Sequence, residues 1–415
     1  MDLGKYSFGT GDRFARQGEA QLKAFVDAGK KGLEITPVWN KSNREHLIIG
    51  SDPSDTRIAA DNAVKNLQWG KPWFVDADHI NMDNVDKFID SSDFFTIDVA
   101  DYIGISPLGA DLDMFVRNNL GFIGQLNIPG INEPFIINSD LLHEIGKKFL
   151  YAVKQAAEIY KHIESKKGKG NFVTEISMDE VDKPQSPVEL FFILCAIASE
   201  NVPVQTIAPK FTGRFNKGVD YRGDLTIFSR EFEHDLLVID MAVKVFGLPE
   251  SLKLSVHSGS DKFSIYPVIG NLIRKHNKGI HIKTAGTTWL EEMTGLAMAG
   301  GEALDLAVKI YSEALARYDE LCGPYSAVID IERERLPTVR EVSEWDGNRF
   351  ASALRHEPDH PDYNSNMRQL VHVAYKIAAE HGETYTAMLE KHRDIIGMQV
   401  TGNIYNRHFE RIFDL

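Results

Sequence analysis

Leu252-Lys253-Leu254-Ser255-Val256-His257, then the helix-period stretch Ser264–Asn277, then Ile280-His281-Ile282-Lys283-Thr284, carry the reading that decides the fold. Two short runs rich in branched apolar residues flank a segment long enough for a helix, and polar residues gather at the C-terminal end of each run. This is the order of a βαβ unit, in which a right-handed crossover makes the two strands parallel. Alternation along the first run puts Leu254 and Val256 on one face and Ser255 and His257 on the other.

Outward from this unit the same order recurs. Earlier strands are expected at Tyr6–Gly9, Gly32–Trp39, Trp73–Asp78, Phe94–Val99, Asn171–Ile176 and Val204–Ala208. Helices are expected at Phe14–Asp27, Thr56–Leu67, Asp140–Ile163, Pro187–Ser199 and Arg230–Val245. Eight parallel strands covered by helices close into a (β/α)₈ barrel. Leu47-Ile48-Ile49-Gly50 competes as a ninth strand or an added hairpin, and an open doubly wound sheet is the alternative architecture. Gly9-Thr10-Gly11 lacks the third glycine of a dinucleotide fingerprint, so no nicotinamide site is expected. Residues 1–338 are read as the catalytic barrel, with an insertion near 100–138 after the fourth strand, and 339–415 as a helical extension packed on the barrel or over its mouth.

The 415-residue chain is 43% hydrophobic and 26% charged, ordinary for a soluble globular protein. A net charge of −14 repels nucleic-acid phosphates and anionic lipid, and Lys166-Lys167-Gly168-Lys169 reads as a solvated turn, so neither nucleic acid nor membrane is an expected partner. Cys195 and Cys322 are too few for a disulfide framework. No signal segment or membrane-length apolar run is read, and a cytoplasmic location is expected. A homo-oligomer is compatible with the sequence, which identifies no interface.

In a barrel the loops converge at the C-terminal strand ends, which is where chemistry collects. His257 stands there, followed by Gly259 and Asp261; a neutral imidazole at this place suits a metal, and Asp261 suits either a helix cap or proton transfer. Glu175 interrupts an apolar strand and needs a cation or a polar partner if buried, and Asp179 follows in its loop. His234 lies near the expected start of the helix after the sixth strand, as a further ligand or a surface histidine. Asp76, Asp78 and His79 add acidic and imidazole groups on the third strand. Lys210 and Lys283 could hold a carboxylate, polarise a carbonyl or form a Schiff base, or instead fill the interior as Lys–Glu pairs. The loop Lys210–Arg222 is basic and suited to anion contact.

Four stretches resemble the tagaturonate–fructuronate epimerases of hexuronate catabolism: Phe8-Gly9-Thr10-Gly11-Asp12-Arg13-Phe14, Thr174–Glu180, Ala208–Gly213 and His257–Phe263. The resemblance implies a metal-dependent barrel that interconverts two keto-uronates differing at C4. On this reading Glu175, His234 and His257 are expected to hold a divalent zinc, manganese, nickel or iron ion. Asp179 and Asp261 are expected to move protons, and Lys210 to contact the substrate carboxylate or carbonyl. Competing readings are a Schiff-base aldolase, a metal isomerase of a neutral ketose, and a non-catalytic sugar-binding barrel.

Overall fold

A computed structural model of the chain describes residues 1–284 and 286–414. Its strands are β1 (Tyr6–Thr10), β2 (Thr36–Ser42), β3 (Phe74–Ile80), β4 (Phe94–Asp98), β5 (Gly124–Leu126), β6 (Phe135–Ile137), β7 (Val173–Ser177), β8 (Thr206–Ala208), β9 (Lys253–His257) and β10 (Ile280–Thr284). Eight of them close a parallel barrel in the order β1-β10-β9-β8-β7-β4-β3-β2, confirming the (β/α)₈ architecture. β5 and β6 form a separate antiparallel hairpin inside the insertion that follows β4, beside the helix Gly109–Asn119.

Leu47-Ile48-Ile49-Gly50 is no strand. Ser42 and Glu45 form a reciprocal capping box that starts a helix at Asn43, and the helix ends at Ile49.

Two-residue alternation stacks the barrel interior in layers. Leu3, Val38, Phe74, Phe94 and Val173 form an apolar plug at the N-terminal end, separate from the main core outside the sheet. Each such buried side chain contributes about 1.5–3 kcal/mol. Two residues further along the same strands come Asn40, Asp76, Thr96 and Glu175, and two further still Asp78, Asp98 and Ser177. The interior thus changes from hydrocarbon to charge along its axis. Gly9 makes room for this layer, since a Cβ there would lie 2.9 Å from Asn40 Oδ1 and 3.0 Å from Lys283 Cγ.

The C-terminal region packs directly on the barrel. Helix Arg393–Gly402 lies across helices Gly18–Lys30 and Thr287–Ala299, and Phe409 sits edge-on to Phe8 and Phe25. Asp261, fully buried after β9, ties this region down: its carboxylate is 2.7 Å from Arg368 Nη2 and 3.5 Å from both His356 and His408. Burial opposes its charge, but Arg368 and the two histidines hold the carboxyl well below the usual range.

Candidate active site

The C-terminal end of the barrel opens into a cavity of about 950 Å³. Its floor is the charged interior layer. Lys283 Nζ lies 2.6 Å from Asp76, 2.6 Å from Asp78 and 3.3 Å from Glu175, and donates to Thr96 Oγ1 at 2.6 Å. Burial alone would discharge this lysine, yet the three carboxylates outweigh it and keep the ammonium charged well above the ordinary lysine range. Asp76 bears the cost of the crowding: burial, with Asp78 and Glu175 close by, pushes it up to about 7 although Lys283 pulls the other way.

Glu175 is completely buried and spends both oxygens on neighbours. Oε1 accepts from His257 Nε2 at 2.7 Å, and Oε2 accepts from Thr206 Oγ1 at 2.6 Å. This bond fixes the ring of His257 and leaves its Nδ1 buried without an aligned partner, 3.2 Å from Asp179 Oδ1. Burial works against a charged His257, but Asp179 and Glu175 outweigh it and raise the imidazole to about 9. Asp179 in turn accepts from Ser177 Oγ at 2.5 Å.

His79 faces His257 from β3, ring centroids 5.1 Å apart and nearly perpendicular. Alternation puts Asp76 and Asp78 inward and would point His79 out of the barrel. Instead the register between β3 and β4 shifts after Ala77, and His79 takes a left-handed backbone with φ of 52° that turns its ring into the cavity. Such a conformation costs about 1–3 kcal/mol for a residue with a Cβ. Its Nδ1 lies 3.3 Å from Asp98 Oδ2, so both imidazoles are backed by a carboxylate.

His79, Asp179 and His257 each offer one ligand atom within 4.8 Å of the others. Two imidazoles and a carboxylate suit zinc, manganese, nickel or iron, and a buried imidazole nitrogen without a partner is the atom such an ion would meet. A second group, His79, Asp98 and Glu180, shares the same histidine.

The structure brings Glu175, Asp179, Lys210 and His257 to this place. Lys210 lines the cavity, its Nζ 3.3 Å from the Asp179 carbonyl oxygen. It does not bring His234, which sits half-buried on the outer helix Leu225–Phe246 in a separate recess with Pro187, Arg230 and Glu231. Nor does it bring Asp261, which is enclosed with Arg368 away from the cavity lining. The sequence reading assigned no role to Arg13, Asn40, Arg44, Asp98, Tyr325, His372 and Tyr375, all of which line the cavity. Arg13 lies in a stretch that carried the family resemblance, and Lys217 and Arg214 in the loop read as suited to anions; the signal for these was present.

A closed parallel barrel with paired acids, bases and cations at its C-terminal mouth defines an enzyme of the α/β-barrel class. The UxaE family pattern, described as tagaturonate epimerase, matches residues 1–396, and the chain belongs to that family. It is 29% identical over 396 residues to a tagaturonate/fructuronate epimerase of Thermotoga maritima, covering 89% of this chain and 72% of the relative. Among solved structures, a glycerol complex of the fructuronate-tagaturonate epimerase UxaE from Cohnella laeviribosi superposes with a TM-score of 0.81 at 21% identity, covering 99% of this chain and 82% of that one. The native form of the same enzyme gives a TM-score of 0.79 over the same share. Among the described residues no helix is long and apolar enough to cross a membrane.

Proposed function

We propose that this protein is a divalent-metal-dependent epimerase that interconverts D-tagaturonate and D-fructuronate at C4. Membership of the tagaturonate epimerase family supports the substrate. The observation that carries the metal is the pair of carboxylate-backed imidazoles, Glu175–His257 and Asp98–His79, converging with Asp179. A carboxylate behind each ring fixes its tautomer and frees the other nitrogen, as in histidine metal sites generally. Asp78 and Glu175 lie against the ammonium of Lys283, while Asp98 and Asp179 lie beside the rings of His79 and His257, so carboxylates gather around the two imidazoles at this end of the cavity.

His79, Asp179 and His257 would hold the ion, and when bound it supplies Lewis-acid polarisation of the substrate's ketone oxygen. Lys210, whose ammonium lies over the Asp179 carbonyl, donates to the same region of the substrate. Glu180 lines the cavity and makes no hydrogen bond among the described residues, so it is free to take the proton of the C4 hydroxyl. That proton loss makes C4 an aldehyde as the C3–C4 bond breaks, and the bonding pair enters a C2–C3 enediolate. The aldehyde carbon rotates, C3 attacks its opposite face, and Glu180 returns the proton to the C4 oxygen. The C4 hydrogen never leaves carbon on this route, whereas carbonyl migration to C3 would exchange it with solvent.

A Schiff base at Lys283 is disfavoured, because three carboxylates keep its nitrogen protonated and non-nucleophilic. The test is NMR of metal-reconstituted and chelator-treated protein with D-tagaturonate in D₂O. Metal-dependent appearance of D-fructuronate without deuterium at C4 is expected. No conversion with any of several divalent metals contradicts the assignment, and deuterium at C4 contradicts the retro-aldol route.

A further inference from the structure

The wall of the cavity away from the carboxylate-rich floor is built of cations. Arg13 is 6% exposed, its guanidinium stacked 4.1 Å over Tyr375 and its Nε paired with Glu45 at 3.2 Å, while its Nη1 is buried with no partner. Lys217 Nζ and the Arg44 guanidinium each stand 5.3 Å over the ring of Tyr325, whose hydroxyl meets that of Tyr375 at 3.0 Å. Neither Lys217 nor Arg44 has a carboxylate within salt-bridge distance among the described residues; Glu180 and Glu45 offset their charge only from further away. His372, from the C-terminal helices, is 1% exposed, lines the same cavity and has no hydrogen-bond partner on either ring nitrogen.

A neutral imidazole must carry one N–H, and a buried N–H left unpaired costs about 1–3 kcal/mol. Three neighbouring cations, of which only Arg13 has a carboxylate in direct contact, repel each other less when an anion enters. Both costs are relieved by one ligand group, a planar carboxylate that accepts from several donors.

We infer that Lys217, Arg13 and His372, with Arg44 at the mouth, form the carboxylate-binding subsite that anchors the uronate end of the substrate. The inference rests on the proposed keto-uronate reading and deepens it. Burial, with like charge from Arg44 and Arg13, lowers Lys217 to about 8 against the pull of Glu180 and Glu45. The subsite fixes substrate polarity: carboxylate toward the C-terminal helices, ketone toward His79 and His257. It also gives the extension a part in selectivity, since His372 comes from it.

The test is calorimetric titration of metal-loaded wild type, Lys217→Gln, Lys217→Arg and Arg44→Gln with D-gluconate and D-glucitol, six-carbon chains that differ in the terminal carboxylate and are not epimerised. Wild type should prefer gluconate by tenfold or more. Lys217→Gln should abolish most of that preference, Arg44→Gln part of it, and Lys217→Arg should retain it, with Mn²⁺ affinity and melting temperature unchanged in all three. Equal preference in wild type and Lys217→Gln, or none in wild type, overturns the inference. If the preference depends on Lys217 but D-tagaturonate is not epimerised, the proposed function falls and the anion subsite stands.

Discussion

Glu175 accepts the Nε2 hydrogen of His257 at 2.7 Å while its other oxygen is held by Thr206, so one fully buried carboxylate sets both the orientation and the tautomer of the imidazole. Its influence on any ligand is exerted through His257.

Glu175→Gln keeps the size but offers an amide that can donate to Nε2 and so place the hydrogen on Nδ1. Metal affinity should fall about 10- to 100-fold. Titration with Zn²⁺ against a competing chelator reads this directly, and an unchanged affinity would show that Glu175 does not set the tautomer.

Lys283→Met should be strongly destabilising, by about 3–5 kcal/mol, because it leaves Asp76, Asp78 and Glu175 buried without their cation. Urea unfolding measures the loss. Adding Asp76→Asn should recover part of it, since Asp76 is the carboxyl that already sits near 7.

Asp261→Asn should loosen the C-terminal helices and leave the metal bound. The carboxylate joins Arg368, His356 and His408 to the barrel, so hydrogen exchange should rise across residues 356–408 while metal content stays at the wild-type level. Loss of metal with unchanged exchange would instead make Asp261 part of the site.

Acidification should weaken the fold through its buried neutral histidines. His46 and His281 are lowered to about 3, His46 mainly by burial with Lys41 nearby and His281 by burial against the opposing pull of Glu175. The unfolded chain takes up these protons near pH 6.5 and the folded chain only near 3, so stability is present above about 6.5 and declines as pH falls toward 3. His46→Gln should flatten the slope of unfolding free energy against pH in that window. An identical slope in the variant would remove His46 from the account.

The barrel was legible because its signal is local: the barrel strands keep apolar residues on the outer face, and most strand ends turn polar. Asp179, Glu175 and His257 could be placed for the same reason. His79 was named among the third-strand groups, but its inward turn was not legible, because it comes from a register shift against β4 that alternation along β3 does not contain. His234 was misplaced relative to the strand end because the helix begins at Leu225, capped by Asp224, earlier than the apolar period suggests. That puts His234 about 14 Å along the axis from the first turn. The partner of Asp261 is Arg368, more than a hundred residues away, and no local pattern encodes such a pairing.

The most direct measurement is metal content and turnover of His257→Ala and His234→Ala beside wild type. The account predicts that His257→Ala neither retains the ion nor forms D-fructuronate, while His234→Ala does both. A His257→Ala protein that keeps its metal and its turnover would contradict the central claim.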